Sequence, residues 1–219
     1  MNVKRLEWLT EMRIIEPKVI IETSMTQDEA MSLIERAGRV CYKSEAKIGD
    51  GSAEKFIKGI LKRGHESVIE HISITVRVVC DRGVTHEIVR HRIASYSQES
   101  TRYCNYATDK FSNEITVIKP LFWNEDNEEY KIWKKGMEDC EIAYFRLINA
   151  GATPQEARSV LPNSLKTEIV MTMNFREWRH FFTLRCSSAA HPQMRQVANM
   201  ILSQFQEKYP LFVEDLVIE

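Results

Sequence analysis

The chain has 219 residues, with 30 Lys and Arg against 31 Asp and Glu, a formal net charge of −1, and 43% apolar and 28% charged residues. These ordinary globular values leave no broad positive excess for gripping a nucleic-acid backbone, so any anion recognition has to be local. Five widely spaced cysteines (Cys41, Cys80, Cys104, Cys140, Cys186) without a Cys-x-x-Cys pair read as free thiols, and a charged N-terminal stretch (Lys4, Arg5, Glu7, Glu11, Arg13) leaves no signal-peptide core and no membrane span. The expectation is a cytoplasmic chain with neither a membrane nor a nucleic-acid partner.

In chain order, residues 18–22 form a short apolar run suited to a strand. Thr26 with Glu29 three positions on is a capping box, opening a helix that buries Ala30, Leu33, Ile34, Ala37 and Cys41 at helical spacing. Ser52 is placed to cap a helix over 53–63 that Gly64 ends. From 72 to 80 the period becomes two, with Ile72, Ile74, Val76 and Val78 on one face. Residues 83–94 read as a helix and the polar, non-periodic stretch 95–108 as a loop. A strand at 115–118 ends at Pro120. A long helix over 126–150, with a stripe of Tyr130, Trp133, Met137, Ile142, Phe145 and Ile148, is closed by Gly151.

Thr153-Pro154-Gln155-Glu156 is a second capping box with proline at the first helical position. Leu165, Thr167, Ile169, Met171 and Met173 alternate along a strand; Asn174 caps a helix over 175–186, and Pro192 opens a last helix to about residue 207. Strands and helices without regular βαβ spacing imply an α+β fold, a mainly antiparallel sheet flanked by helices, in one domain spanning 1–219.

The densest chemistry lies at 90–103. Arg90-His91-Arg92 precedes a run of hydroxyls and amides (Ser95, Ser97, Gln98, Ser100, Thr101) that Arg102-Tyr103 closes. Guanidinium groups bind phosphate bidentately and stay charged, while hydroxyls and amides read the rest of a polar ligand. The segment suits a phosphorylated small molecule. A metal reading fails on spacing: in His86-Glu87-Ile88-Val89-Arg90 an arginine stands where the second zincin histidine belongs, and the His65/His71 pair is no better placed. No glycine-rich dinucleotide fingerprint or Walker loop is present. Arg176, Trp178, Arg179, Phe181, Phe182 and Arg185 read as an aromatic core face with an exposed arginine face. Cys186 would be a low-pKa thiol only with Arg185 in reach. A non-catalytic RNA-binding loop and a scaffold of paired arginines are the competing readings.

Arg90-His91-Arg92, seven residues, then Ser100 resembles the signature of the flavin-dependent thymidylate synthases. Companion blocks in the same order extend the likeness: Ala37-Gly38-Arg39-Val40-Cys41, Gly64-His65-Glu66-Ser67 with Glu70-His71, Ala157-Arg158-Ser159-Val160-Leu161-Pro162, and Leu184-Arg185. The resemblance implies the thymidylate synthase-complementing fold and reductive methylation of dUMP to dTMP. It implies FAD as hydride carrier, NADPH as reductant, methylenetetrahydrofolate as carbon donor, and a homotetramer with shared active sites. It places Ser67, Arg90, His91, Arg92, Gln98, Asn174, Arg176 and His180 at FAD, and Glu87, Arg90, Gln98, Ser100, Thr101, Arg102, Arg158 and Arg185 at dUMP. Arg185 takes the catalytic position, where the family favours ionisation of the uracil ring. The chain departs from the pattern at Gln98, where many members have Glu, at Thr101, which replaces a smaller residue, and at His180, where Asn is known.

Overall fold

The computed structural model describes residues 12–218; the charged segment before Met12 lies outside the described residues. The elements are β1 (Arg13–Ile15), β2 (Lys18–Ile21), α1 (Gln27–Val40), α2 (Ser52–Lys62), β3 (Ser73–Asp81), α3 (Arg82–Ile88), β4 (Ser95–Gln98), β5 (Thr116–Ile118), α4 (Glu128–Asn149), α5 (Pro154–Ala157), β6 (Lys166–Asn174), α6 (Phe175–Arg185) and α7 (Pro192–Lys208). β2, β3, β6 and β4 bond in that order in a four-stranded antiparallel sheet flanked by helices, as the α+β reading requires. β1 and β5 form a separate parallel pair, Ile14 opposite Val117.

By contact density the chain divides into two compact units. Of the described residues, the first comprises 12–18, Val79–Glu87 and Gln98–Ile169, and the second Val19–Val78, Ile88–Ser97 and 170–218. The core of the first gathers Met12, Tyr106, Ile115, Val117, Tyr144, Phe145 and Leu165. Its buried polar groups are satisfied: Glu141 accepts from the Ile115 amide at 3.0 Å and the Trp133 indole donates to Ser164 Oγ at 3.1 Å. The core of the second is aromatic, with Phe175, Trp178, Phe181, Phe182, Phe205 and Phe212 fully buried. Phe175 stacks on Phe212 at 4.0 Å between centroids, and the Trp178 indole donates to Ile74 O at 3.1 Å.

Local rules placed most elements. The two-residue period of β3 and β6 buries Ile74, Val76, Val78, Thr167, Ile169, Met171 and Met173. Both capping boxes form, and Gly64 and Gly151 take positive φ (68° and 95°) just past their helices.

Four expectations need correction. α1 buries Glu35 and Gly38 beside Ala30 and Ile34, while Leu33 and Ala37 are half-buried and Cys41 is exposed. Glu35 goes inward because Arg39 donates to one of its oxygens at 2.7 Å and Ser52 Oγ to the other at 2.8 Å. Ser52, turned to that task, does not cap α2; Gly51 occupies the N-cap. On α4, Tyr144 and Glu141 are buried with Tyr130 and Phe145, but Ile142 is only half-buried. Finally, the helix read over 83–94 stops at Ile88, and 95–98 is a strand, because the β6 edge supplies its backbone partners and pairing overrides a polar local sequence.

Candidate functional site

In the second unit α6 organises the chemistry. Asn174 ends β6 and caps α6, its Oδ1 accepting from the Glu177 amide at 2.9 Å. Glu177, Phe181 and Arg185 follow at four-residue spacing and form one stripe along the helix. His91 lies along that stripe: Nδ1 is 2.9 Å from Glu177 Oε1, the ring is 4.9 Å from the Phe181 centroid, and Nε2 is 3.1 Å from Arg185 Nε. A guanidinium N–H can only donate, so Nε2 must accept, and the ring proton therefore sits on Nδ1 and is donated to Glu177. Burial, chiefly, and the nearby Arg185 and His180 charges push the His91 pKa down, against the opposing pull of Glu177. The imidazole is neutral at pH 7. Tyr96 fixes the backbone here, its single hydroxyl proton shared between His91 O at 2.7 Å and Ile88 O at 2.9 Å. Its own pKa is pushed up to about 12 by burial, so it remains a donor.

The same unit has a cleft of about 600 Å³ lined by Asn174, Arg176, Glu177, His180, Glu66 and Glu70, among others. Three residues assigned to FAD by resemblance thus line one cavity, and Ser67, Arg90 and Arg92 are exposed on the same unit. Arg176 pairs with Glu70 at 2.6 Å in solvent, an interaction that a phosphate can displace. Arg179, expected on the exposed arginine face, is instead buried: it donates to Phe212 O at 2.7 Å, to Asp215 at 2.6 and 2.9 Å and to Glu66 at 3.0 Å. Its role is structural.

The first unit carries the other assigned residues. Glu87 is half-buried on α3; Ser100 is half-buried, Thr101 is buried, and Arg102 and Arg158 are exposed. Ser100 begins a tight turn in which its carbonyl accepts from the Cys104 amide at 2.9 Å. Gln98 Nε2 donates to Thr85 Oγ1 at 3.0 Å and Thr167 Oγ1 at 3.3 Å, while Thr85 donates onward to Arg82 O at 2.8 Å. With the Thr85 hydroxyl proton committed to Arg82 O, this position meets an acceptor, which the Gln98 amide can satisfy and a carboxylate could not. Beside it Glu99 accepts from Tyr106 Oη at 3.0 Å and Lys166 Nζ at 2.9 Å, so both of its carboxylate oxygens are paired. Of the residues assigned by resemblance, His91 and Arg185 are in direct contact; Asn174, Arg176 and His180 share the cleft.

Sequence reading missed Glu177. Its signal was present: it lies three residues past the Asn174 cap and in four-residue register with Phe181 and Arg185. Among the described residues, the ligand-type atoms of His91, Glu177 and His180 lie within 4.8 Å of one another. Arg185 takes the His91 lone pair a metal needs and adds a fixed cation, so the group is a poor metal site. Cys186 is buried and its pKa is pushed up to about 12, which makes it an inert thiol despite its neighbour.

A family model described as thymidylate synthase complementing protein matches residues 21–211. Flavin-dependent thymidylate synthases are similar throughout: that of Pyrococcus furiosus is 39% identical over 178 residues (81% of this chain, 72% of that one), and that of Geobacter sulfurreducens is 35% identical over 186 residues (82% and 78%). That of Corynebacterium glutamicum is 33% identical over 221 residues, covering 93% of this chain and 86% of the relative. Among solved structures, a UMP/dUMP methylase from Streptomyces cacaoi bound with 5-Br dUMP superposes with a TM-score of 0.75 over 93% of this chain and 96% of that one; at 23% identity this likeness shows the shared fold. With its motif blocks in order and a family match over almost its full length, the chain belongs to the flavin-dependent thymidylate synthases.

Proposed function

We propose that the chain methylates C5 of dUMP reductively to give dTMP, with methylenetetrahydrofolate as carbon donor and FAD and NADPH as the source of reducing equivalents. The observation that carries this reading is Arg185, a permanently charged guanidinium held at the end of α6 by a buried neutral histidine. For C5 to attack an electrophilic methylene carbon, the uracil ring must gain enolate-like charge. A fixed cation stabilises that charge as it develops. Arginine suits the role because it keeps its proton throughout.

Ser100, Thr101, Arg102 and Arg158, with Glu87, Gln98 and Arg90, are the residues proposed for dUMP; exposed Arg102 and Arg158 offer planar donors for its phosphate. The donor set of the second unit fits FAD: Arg90, Arg92 and Arg176 suit a pyrophosphate, Ser67, Asn174 and His180 add polar contacts, and His91 belongs to the same proposed set; Gln98, a residue of the first unit, is proposed for FAD on the resemblance. FAD, when bound, supplies two-electron hydride chemistry that no side chain provides.

The proposed assembly is a cytoplasmic homotetramer with shared active sites. Exposed Val89, Ile93 and Leu184, which flank Arg90–Arg92 and Arg185 in sequence, support burial of this region against another subunit. No described helix is long and apolar enough to cross a membrane. The reading is tested by loading purified protein with FAD and following dUMP conversion to dTMP. Protein that binds no FAD, even with dUMP present, contradicts it. Light scattering should give about four times the 25.6 kDa chain mass; a monomer would refute the shared site.

A further inference from the structure

We propose that Glu177 is a positioning residue for Arg185, acting through His91, which it holds in one tautomer and one orientation. The inference rests on the reading of Arg185 as the cation that favours ring ionisation.

An arginine at the last position of a helix has four rotatable side-chain bonds and many rotamers, and electrostatic stabilisation depends on where its charge is held. Here the Arg185 Nε–H is fixed by a buried acceptor, His91 Nε2 at 3.1 Å. That acceptor exists only while the imidazole is neutral and its proton is on Nδ1. A ring with its proton on Nε2, or a doubly protonated ring, would set a donor against a donor. Three groups face the ring and decide its state: Glu177, His180 and Arg185. Arg185 opposes protonation, and His180, 5.8 Å away edge-on, offers Nδ1 no hydrogen bond. Glu177 alone takes the Nδ1 proton, at 2.9 Å.

The carboxylate is itself well placed. Glu177 is in the first turn of α6, where the helix dipole favours an anion, and its amide is tied to the Asn174 cap at 2.9 Å. One helix therefore supplies the orienting acid at its start and the working cation at its end, with the Phe181 ring between them closing one face of the imidazole at 4.9 Å.

The experiment compares wild type with Glu177→Ala, Glu177→Gln and Arg185→Ala, all at saturating FAD. The pH midpoint for ionisation of bound 5-fluoro-dUMP is read by ultraviolet difference spectra beside kcat and KM. Glu177→Ala should raise the midpoint by about one pH unit and lower kcat by about tenfold or more, as expected when a catalytic group is misplaced. Glu177→Gln keeps an acceptor for the Nδ1 proton and should recover most of both. An unchanged midpoint in Glu177→Ala, with Arg185→Ala shifted, overturns the proposal and leaves the reading of Arg185 intact. An unchanged midpoint in both variants overturns that reading and this inference with it. Should Glu177→Ala fail to fold, isotope-labelled histidine spectra of wild type, with His91 assigned through His91→Gln, decide the matter. Protonation at Nδ1 alone supports the proposal, and a proton on Nε2 at pH 7 overturns it.

Discussion

A neutral histidine bonded to an arginine makes folding itself sensitive to acid. The folded state depresses the His91 pKa, so below the ordinary value of about 6.5 the unfolded chain binds the proton and the folded chain resists it. The stabilisation is present above about pH 6.5 and is lost as pH falls. Thermal unfolding at pH 7.5 and 5.5 should show a larger drop for wild type than for His91→Gln; equal drops would place the acid sensitivity elsewhere. Arg179 gives a second residue-level test. Its guanidinium is buried and spread over Asp215, Glu66 and Phe212 O, so Arg179→Ala should cost about 3 kcal/mol in a denaturant titration, having left Glu66, Asp215 and the carbonyl without their cation. A loss near zero would mean solvent compensates. Neither fact was legible in the sequence, where Arg179 looked like one of several surface arginines and His91 like a ligand contact. Burial of a charge depends on partners up to 113 positions distant, such as Glu66, and local periodicity cannot report them.

Elements were legible wherever a local rule fixed them. Thr26 with Glu29 and Thr153 with Glu156 close their capping boxes within four residues, and Asn174 caps α6 on the amide of Glu177. β4 was not legible, because Ser95, Tyr96, Ser97 and Gln98 become a strand only through the edge of β6. Close packing between α1 and its surroundings was equally hidden. A Cβ placed on Gly38 would stand 2.4 Å from Phe56 Cζ and 2.8 Å from Val68 Cγ1. Gly38→Ala should therefore destabilise by about 1–3 kcal/mol despite the better helix propensity of alanine, measurable as a lower denaturant midpoint. A stabilised variant would show that Phe56 and Val68 move aside freely.

At the scale of the whole molecule, a net charge of −1 is compatible with anion chemistry because the cations are gathered locally. Seven of the eight residues proposed for FAD belong to the second unit, and Glu87, Gln98, Ser100, Thr101, Arg102 and Arg158 belong to the first. The motif blocks revealed the family because chemistry needs those residue types in order along the chain. Glu177 lies outside those blocks, and its signal is its register with Phe181 and Arg185 on α6 rather than a motif. Arg185→Ala should lose about two to three orders of magnitude in turnover, as expected for removal of a preorganised electrostatic group, with circular dichroism unchanged. Loss of fold instead would make Arg185 a structural cation.

The most direct test of the central claim is release of tritium from C5 of labelled dUMP by FAD-saturated protein supplied with methylenetetrahydrofolate, with and without NADPH. The account predicts release that requires both FAD and reductant and that disappears in Arg185→Ala. Folded, FAD-saturated wild-type protein that releases none would contradict it.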